Sequence, residues 1–273
     1  MHADMVFAEH DGTKLVGDFY LPRGRAKSPA LVAIHGGGWQ VGGREFYRHW
    51  GPFLANNGYA VFAIDYRLAK PGVYPAAVYD AKAAIQFVRG KAADLNVDAD
   101  RIGLIGDSAG AHLAALLALA GDRFAAAYGD DAFAATPVNV KAVVGIYGVY
   151  DMLAQWTHDL ATRPRDMIVE KFLGAPPMQD RHRYFEASPI SYATTDRNQV
   201  RFLLIHGTDD NIVDSPSQSG AFLTALAQAG FFVRRIVIPG AGHFWWPDPF
   251  ADEPASYSMT AAPRLLRFLA ESL

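Results

Sequence analysis

Short, nearly unbroken apolar runs alternate along this chain with longer stretches in which apolar residues recur at helical spacing. The runs at 30–35, 59–65, 102–105, 140–147, 200–205 and 232–238 suit strands buried on both faces of a parallel sheet. Between two of them, Ala77, Ala81, Ala84, Ile85, Val88 and Leu95 recur at a period near that of an α-helix, and Pro75 stands in the first turn. A long amphipathic helix is expected over 74–94. Residues 46–57, closed by Gly58, 217–228, closed by Gly230, and 260–273 predict further helices, and 111–120 is apolar almost all round, as in a helix covered on most sides. At the front, 6–9 and 14–21 flank Asp11-Gly12, the signature of an antiparallel hairpin at a sheet edge. Such alternation predicts an α/β fold: one mostly parallel central sheet with helices on both faces, in a single domain over 1–273.

One stretch breaks the pattern. From 151 to 199 the periodicity fails, apart from a short helix at 166–173 closed by Gly174, and prolines at 164, 176, 177 and 189 punctuate it. Irregular segments of this length inside a compact domain are usually functional, so a small cap or pocket wall is expected, with a solvated excursion as the alternative.

Composition narrows the chemistry. With 51% hydrophobic and 19% charged residues the chain reads as globular, and a net charge of -3 gives no reason to expect nucleic acid or an anionic membrane surface as partner. No cysteine is present, which excludes disulfides, thiolate metal sites and a cysteine nucleophile. No apolar run reaches the length of a membrane span, and residues 1–7 lack the basic start and apolar run of a secretory signal, so the cytoplasm is the expected location. A monomer and a homodimer are both compatible with these features.

The candidate chemistry begins at Gly106-Asp107-Ser108-Ala109-Gly110, between the strand at 102–105 and the apolar helix. A serine on a tight strand-to-helix turn takes a strained backbone, and the residues two before and two after it must be small for strand and helix to pass closely. Gly106 and Gly110 meet that demand, and Ser108 is the expected nucleophile. The first helical turn offers free N–H groups, among them that of Ala109, to a developing oxyanion. A second source of donors is His35-Gly36-Gly37-Gly38-Trp39, where three glycines after a central strand cost backbone entropy. Main-chain N–H groups of Gly37 and Gly38 approaching a substrate oxygen would give them a purpose, with His35 orienting the loop; a tight turn is the plainer alternative.

A serine needs a base, and the base needs a carboxylate; at such an elbow the order along the chain is Ser, acid, His. Beyond Ser108 the histidines outside the elbow helix are His158, His182, His206 and His243. His243 follows the strand at 232–238 within Pro239-Gly240-Ala241-Gly242-His243-Phe244 and is the expected base. His206 precedes the candidate acid and suits a loop-holding role, His158 and His182 read as surface residues, and His112 as a packed, hydrogen-bonded side chain of the elbow helix. Three aspartates compete in the loop after 200–205: Asp210, favoured by its Asp-x-x-Val spacing, Asp209, and Asp214, which reads as the cap of the next helix. Trp39, Trp156, Trp245, Trp246 and Tyr147 lie in or near these loops and form either an aromatic wall for substrate or plain packing.

With Ser108, Asp210 and His243 in this order, the chain resembles an α/β-hydrolase of the esterase/lipase group. His-Gly-Gly-Gly-Trp at 35–39 and Gly-Asp-Ser-Ala-Gly at 106–110 also mark the hormone-sensitive-lipase-like esterases. Two details depart from that group: the acid stands in His206-Gly-Thr-Asp-Asp-Asn-Ile-Val, as in prolyl-oligopeptidase-type hydrolases, and a large N-terminal cap is not expected. The chain is more similar to small bacterial esterases grouped with acetylxylan and feruloyl esterases, and less to kynurenine formamidases. The resemblance implies cleavage of small or short-chain carboxylic esters through an acyl-enzyme, without cofactor or metal. An amidase or peptidase using the same triad, and a binding protein that kept the fold without the activity, are the alternatives.

Overall fold

The computed structural model describes residues 1–24, 26–69, 74–124, 128–252 and 255–273. Among them eight strands form one sheet: β1 (His2–His10), β2 (Thr13–Tyr20), β3 (Ser28–Ile34), β4 (Ala60–Ile64), β5 (Val97–Asp107), β6 (Ala142–Ile146), β7 (Arg201–Gly207) and β8 (Val233–Ile238). Their order is β1-β2-β4-β3-β5-β6-β7-β8, with β2 antiparallel to both neighbours and every pair from β4 to β8 parallel. This is the α/β-hydrolase architecture. Registers at the carboxyl ends coincide: Ile34 pairs with Gly106, Asp107 with Ile146, and Ile146 with Ile205. The loops leaving β3, β5, β6 and β7 therefore start at one level, on one crest.

Strand side chains divide by a period of two between two apolar layers. Ala30, Val32 and Ile34 of β3 join Phe62 of β4 and Leu104 of β5 beneath the helices α2 (Ala76–Gly90), α3 (Ala109–Ala120) and α7 (Ala221–Gln228). Leu31 and Ala33 face the other way, with Ile105 and Val144, toward α1 (Trp50–Asn56) and α8 (Tyr257–Ser272). The hairpin lies at the sheet edge as expected, turning through Asp11 and Gly12, both at positive φ (50° and 72°). The helix expected over 46–57 is broken: a 3-10 turn spans Arg44–Tyr47 and α1 begins at Trp50. Pro52 explains the restart, since a continuous helix would require the N–H it lacks, whereas in a first turn that N–H has no partner to lose.

The stretch 151–199 is more ordered than its apolar pattern suggested. It holds α4 (Met152–Thr162), α5 (Ile168–Leu173), α6 (Arg181–Glu186) and two 3-10 turns. Asp151 caps α4 by accepting from Leu153 N and Ala154 N, each at 2.9 Å, and Asp180 caps α6 through Arg183 N at 3.0 Å. The buried stripe of α4 is Met152, Gln155 and Asp159, polar at two of three positions, so a search for apolar periodicity passes over it. Gln155 Nε2 donates to Asp159 Oδ1 (2.8 Å) and to Ile212 O (2.9 Å), and Arg163 Nη2 donates to Ile212 O at 3.1 Å. The segment is thereby tied to the loop that follows β7.

A second polar cluster was not anticipated. Asp80 of α2, fully buried, accepts from His10 Nδ1 (2.7 Å), Arg67 Nη2 (2.7 Å) and the Arg67 backbone N–H (2.8 Å), while Asp131 takes the other ring nitrogen of His10 at 2.8 Å. Burial alone would lower the His10 pKa, but two carboxylates on its two nitrogens outweigh that and raise it. Removing Asp80 strands the Arg67 guanidinium inside, with the exposed Asp11 as its only other carboxylate partner among the described residues. Asp80→Ala is expected to cost about 3–5 kcal/mol, read as a lower urea midpoint with an unchanged slope.

Candidate active site

Ser108 occupies the turn from β5 to α3 at φ 50° and ψ -116°, a conformation that a serine enters only under constraint. The constraint is close packing. A Cβ on Gly110 would come nearer than 3.0 Å to the Ile34 carbonyl of β3, and one on Gly106 would press equally on the Gly110 backbone. The Ser108 N–H donates to Ile146 O of β6 at 2.8 Å, which anchors the turn between two strands.

The glycine loop is held against this elbow. Gly36 N–H donates to Asp107 Oδ1 at 3.0 Å, and Tyr147 OH donates toward Asp107 Oδ2 at 3.5 Å. Burial pushes the Asp107 carboxyl up to about 7, against the pull of the Gly36 N–H. Two of the three glycines have internal reasons to be glycine: a Cβ on Gly36 would meet the Asp107 carboxyl, and one on Gly37 (φ 111°) the Val41 carbonyl. Gly38 (φ 59°) differs, because its nearest neighbours would stand off at 3.7 Å or more. A Cβ there would make ordinary van der Waals contact with Gln40 and Ile168. His35 holds the loop as expected, with its Nδ1 2.6 Å from Gly36 O and its ring stacked on Tyr66 at 4.3 Å.

Across the crest, His243 Nε2 lies 3.0 Å from Ser108 Oγ and His243 Nδ1 lies 2.7 Å from Asp210 Oδ2. The carboxylate accepts from Nδ1–H, which leaves Nε2 unprotonated toward the serine hydroxyl. Burial raises the Asp210 pKa, but His206, His243 and the Val213 N–H outweigh it and hold the carboxyl well below the usual range. Burial likewise lowers the His243 pKa and prevails over the support of Asp210, so the imidazole is neutral at neutral pH. The competing aspartates are engaged elsewhere: Asp209 accepts from Thr208 Oγ1 at 2.7 Å on the exposed side, and Asp214 caps the next helix through Ser217 N at 2.9 Å.

The BD-FAE family profile matches residues 17–226. The chain belongs to the BD-FAE family. Esterase LipQ of Mycobacterium tuberculosis (strain ATCC 25618 / H37Rv) is 34% identical over 223 residues, covering 80% of this chain and 50% of that protein. The probable isoprenylcysteine alpha-carbonyl methylesterase ICMEL1 of Oryza sativa subsp. japonica is 31% identical over 259 residues, 92% of this chain and 58% of that one. The chain spans between half and three fifths of these curated relatives. Among solved structures, the butyrate-bound esterase Est2 of Thermogutta terrifontis superposes with a TM-score of 0.78 at 25% identity, over 99% of this chain and 92% of that one.

In this BD-FAE chain the aromatic residues divide by use. Trp39 is 1% exposed, stacks on Phe172 at 4.5 Å and donates its indole N–H to His112 Nδ1 at 3.1 Å; His112 in turn donates through Nε2 to Ala187 O at 2.7 Å. Tyr147 is fully buried, 4.3 Å from the His243 ring, and Trp246 stacks on Trp50 at 3.9 Å. The aromatic wall expected of Trp39 and Tyr147 is therefore packing, because neighbouring side chains already cover both rings. Trp245 lies nearly buried beside Tyr147 at 5.7 Å, and Trp156, half-buried, donates to Glu170 Oε1 at 2.6 Å.

His206 has a closer part than loop-holding alone. Its Nε2 lies 3.0 Å from Val213 O and 3.2 Å from Asp210 Oδ2, so it carries the proton there, and Ser219 Oγ–H donates to Nδ1 at 2.6 Å. Position at the end of a strand beside the acid loop was the available signal; contact with the acid itself is a tertiary fact.

The elbow's packing carries a structural expectation. Gly110→Ala must displace the β3 carbonyl or the start of α3, and a loss of about 2–3 kcal/mol is expected in urea denaturation, accompanied by a lower Tm.

Proposed function

We propose that this chain is a serine ester hydrolase acting on carboxylic esters of small or short-chain acids. The observation that carries the reading is the continuous line Asp210 Oδ2, His243 Nδ1, His243 Nε2, Ser108 Oγ, at 2.7 and 3.0 Å. Asp210 keeps the imidazole in the tautomer that accepts at Nε2. As Ser108 Oγ attacks the ester carbonyl, His243 takes its proton, and the carbonyl oxygen gathers charge before the N–H groups of Gly37, Gly38 and Ala109. The imidazolium then protonates the departing alkoxide, and water repeats the sequence to release the acid.

Support for a short acyl group comes from the segment 151–199, read as a cap. Ile168 Cγ2 of α5 lies 3.8 Å from where a Cβ on Gly38 would be, which narrows the space before the glycine loop. The butyrate in the Est2 structure points the same way. Within this class, acetyl or feruloyl esters of carbohydrates are the proposed natural substrates, with Trp156 and Trp245 as proposed aromatic contacts for the substrate. The triad and both oxyanion sources belong to one chain, so either a monomer or a homodimer suffices. The prolyl-oligopeptidase-like acid motif around Asp210 favours one second reading, cleavage of an amide.

An ester panel from acetate through decanoate, with methyl ferulate, acetylated xylan and an aminoacyl anilide, tests both readings. Turnover is expected to be greatest on acetate to butyrate and to fall toward decanoate, with the anilide slower; faster cleavage of the anilide would overturn the esterase reading in favour of the second. Ser108→Ala is expected to lower kcat by about 10⁶-fold while leaving the fold intact by circular dichroism. The pH profile has a definite sign: protonation removes the acceptor at Nε2, so kcat/KM falls on acidification. Its midpoint is expected below 6.5, the ordinary imidazole value, because burial lowers the His243 pKa.

A further inference from the structure

The residue after the candidate base is an aromatic ring in an unusual position. Phe244 is 63% exposed, its φ is 67°, and its ring meets the His243 imidazole edge to face, with centroids 4.5 Å apart and planes at 88°. Single apolar side chains on a surface are ordinary. Phe244 differs in two respects. A bulky L residue enters the left-handed region only at a cost, and no burial of the ring offsets that cost here. Its ring also touches the one imidazole that is hydrogen-bonded to Ser108.

Around that imidazole the other positions are taken. Asp210 holds Nδ1, Ser108 faces Nε2, and Tyr147, fully buried, packs 4.3 Å away from the core side. Among the described residues that stack on His243, Phe244 is the exposed one. The reaction defines which half of an ester passes there. When the tetrahedral intermediate collapses, the carbon–oxygen bond to the alcohol breaks and that oxygen takes the proton from His243 Nε2, so it must lie within hydrogen-bonding reach of this atom. Its substituent then runs along the imidazole. The acyl carbonyl is directed the other way, toward the glycine loop and the start of α3.

We infer that Phe244 is a specificity-determining residue for the alcohol half of the substrate, its exposed ring forming an apolar platform that favours esters of aromatic or bulky alcohols over esters of small ones. The inference rests on the serine-hydrolase reading above and deepens it by assigning the leaving-group side. It assigns no preference to the acyl chain.

Benzyl acetate and methyl acetate share an acyl group and have alcohols of similar acidity, so comparing them isolates the contact. The kcat/KM preference for benzyl over methyl is expected to fall about tenfold in Phe244→Ala and by less in Phe244→Leu, which keeps an apolar side chain of intermediate size. The effect is confined to acylation, because the alcohol has left before deacylation; a p-nitrophenyl acetate burst separates the two steps. Phe185→Ala, which removes another exposed phenylalanine far along the chain on α6, serves as the control and leaves the ratio in place.

Three results overturn the inference. Equal loss on both acetates, with the acid-limb midpoint of kcat/KM moved upward, means that Phe244 only shields and positions His243. A changed preference along methyl acetate, butyrate and hexanoate with an unchanged benzyl-to-methyl ratio puts the ring on the acyl side. Wild-type protein that hydrolyses none of these esters defeats the hydrolase reading itself, and this inference with it.

Discussion

The contact on which the site depends is the passage of the β5–α3 turn over the end of β3, backbone against backbone. Gly106 and Gly110 permit it, since a methyl group at either position would meet main-chain atoms closer than 3.0 Å. Once the strand and helix are that close, Ser108 has no relaxed conformation available and stands above the crest at φ 50°. The same proximity aims the free N–H groups at the head of α3 toward the serine.

Other loops on the crest are placed by hydrogen bonds to this turn or to one another. Asp107 ties the glycine loop to the elbow through the Gly36 N–H. Trp39, His112 and the Ala187 carbonyl form a second tie, running from the glycine loop through α3 to the segment after α6. On the far side, Gln155 and Arg163 of the α4 region both donate to Ile212 O, two residues from Asp210. His206 and two backbone N–H groups then settle the carboxylate itself. Such buried polar networks are costly when incomplete, so each member restrains its neighbours as well as filling space.

Electrostatics at the crest follow from burial. Asp107 and Asp210 are both buried carboxyls, yet the first is pushed up to about 7 and the second is held low. The difference lies in the donors. Asp210 receives hydrogen bonds from the His243 imidazole and from two backbone N–H groups, with His206 Nε2 3.2 Å away, whereas Asp107 has the Gly36 N–H and a long contact from Tyr147. One carboxylate thus stays charged beside the candidate base, and the other serves chiefly as a fastening.

The apolar runs and helical spacings, by themselves, determined the layered α/β plan, the edge hairpin and the order of the strands' chemistry. Gly106-x-Ser108-x-Gly110, the glycine loop, Asp210 and His243 were legible because each sits next to a strand end, where local pattern and local geometry coincide. Only the tertiary structure decided the rest. The polar buried stripe of α4, the His10–Asp80–Arg67 cluster, the contact of His206 with Asp210 and the burial of Trp39 and Tyr147 all involve partners distant in the chain. Apolar periodicity reports which face of an element is buried; it carries no record of which polar group waits on the other side. For that reason the catalytic candidates could be named along the chain, while the bonds that hold them in position became visible only once the strands had brought those loops to one level.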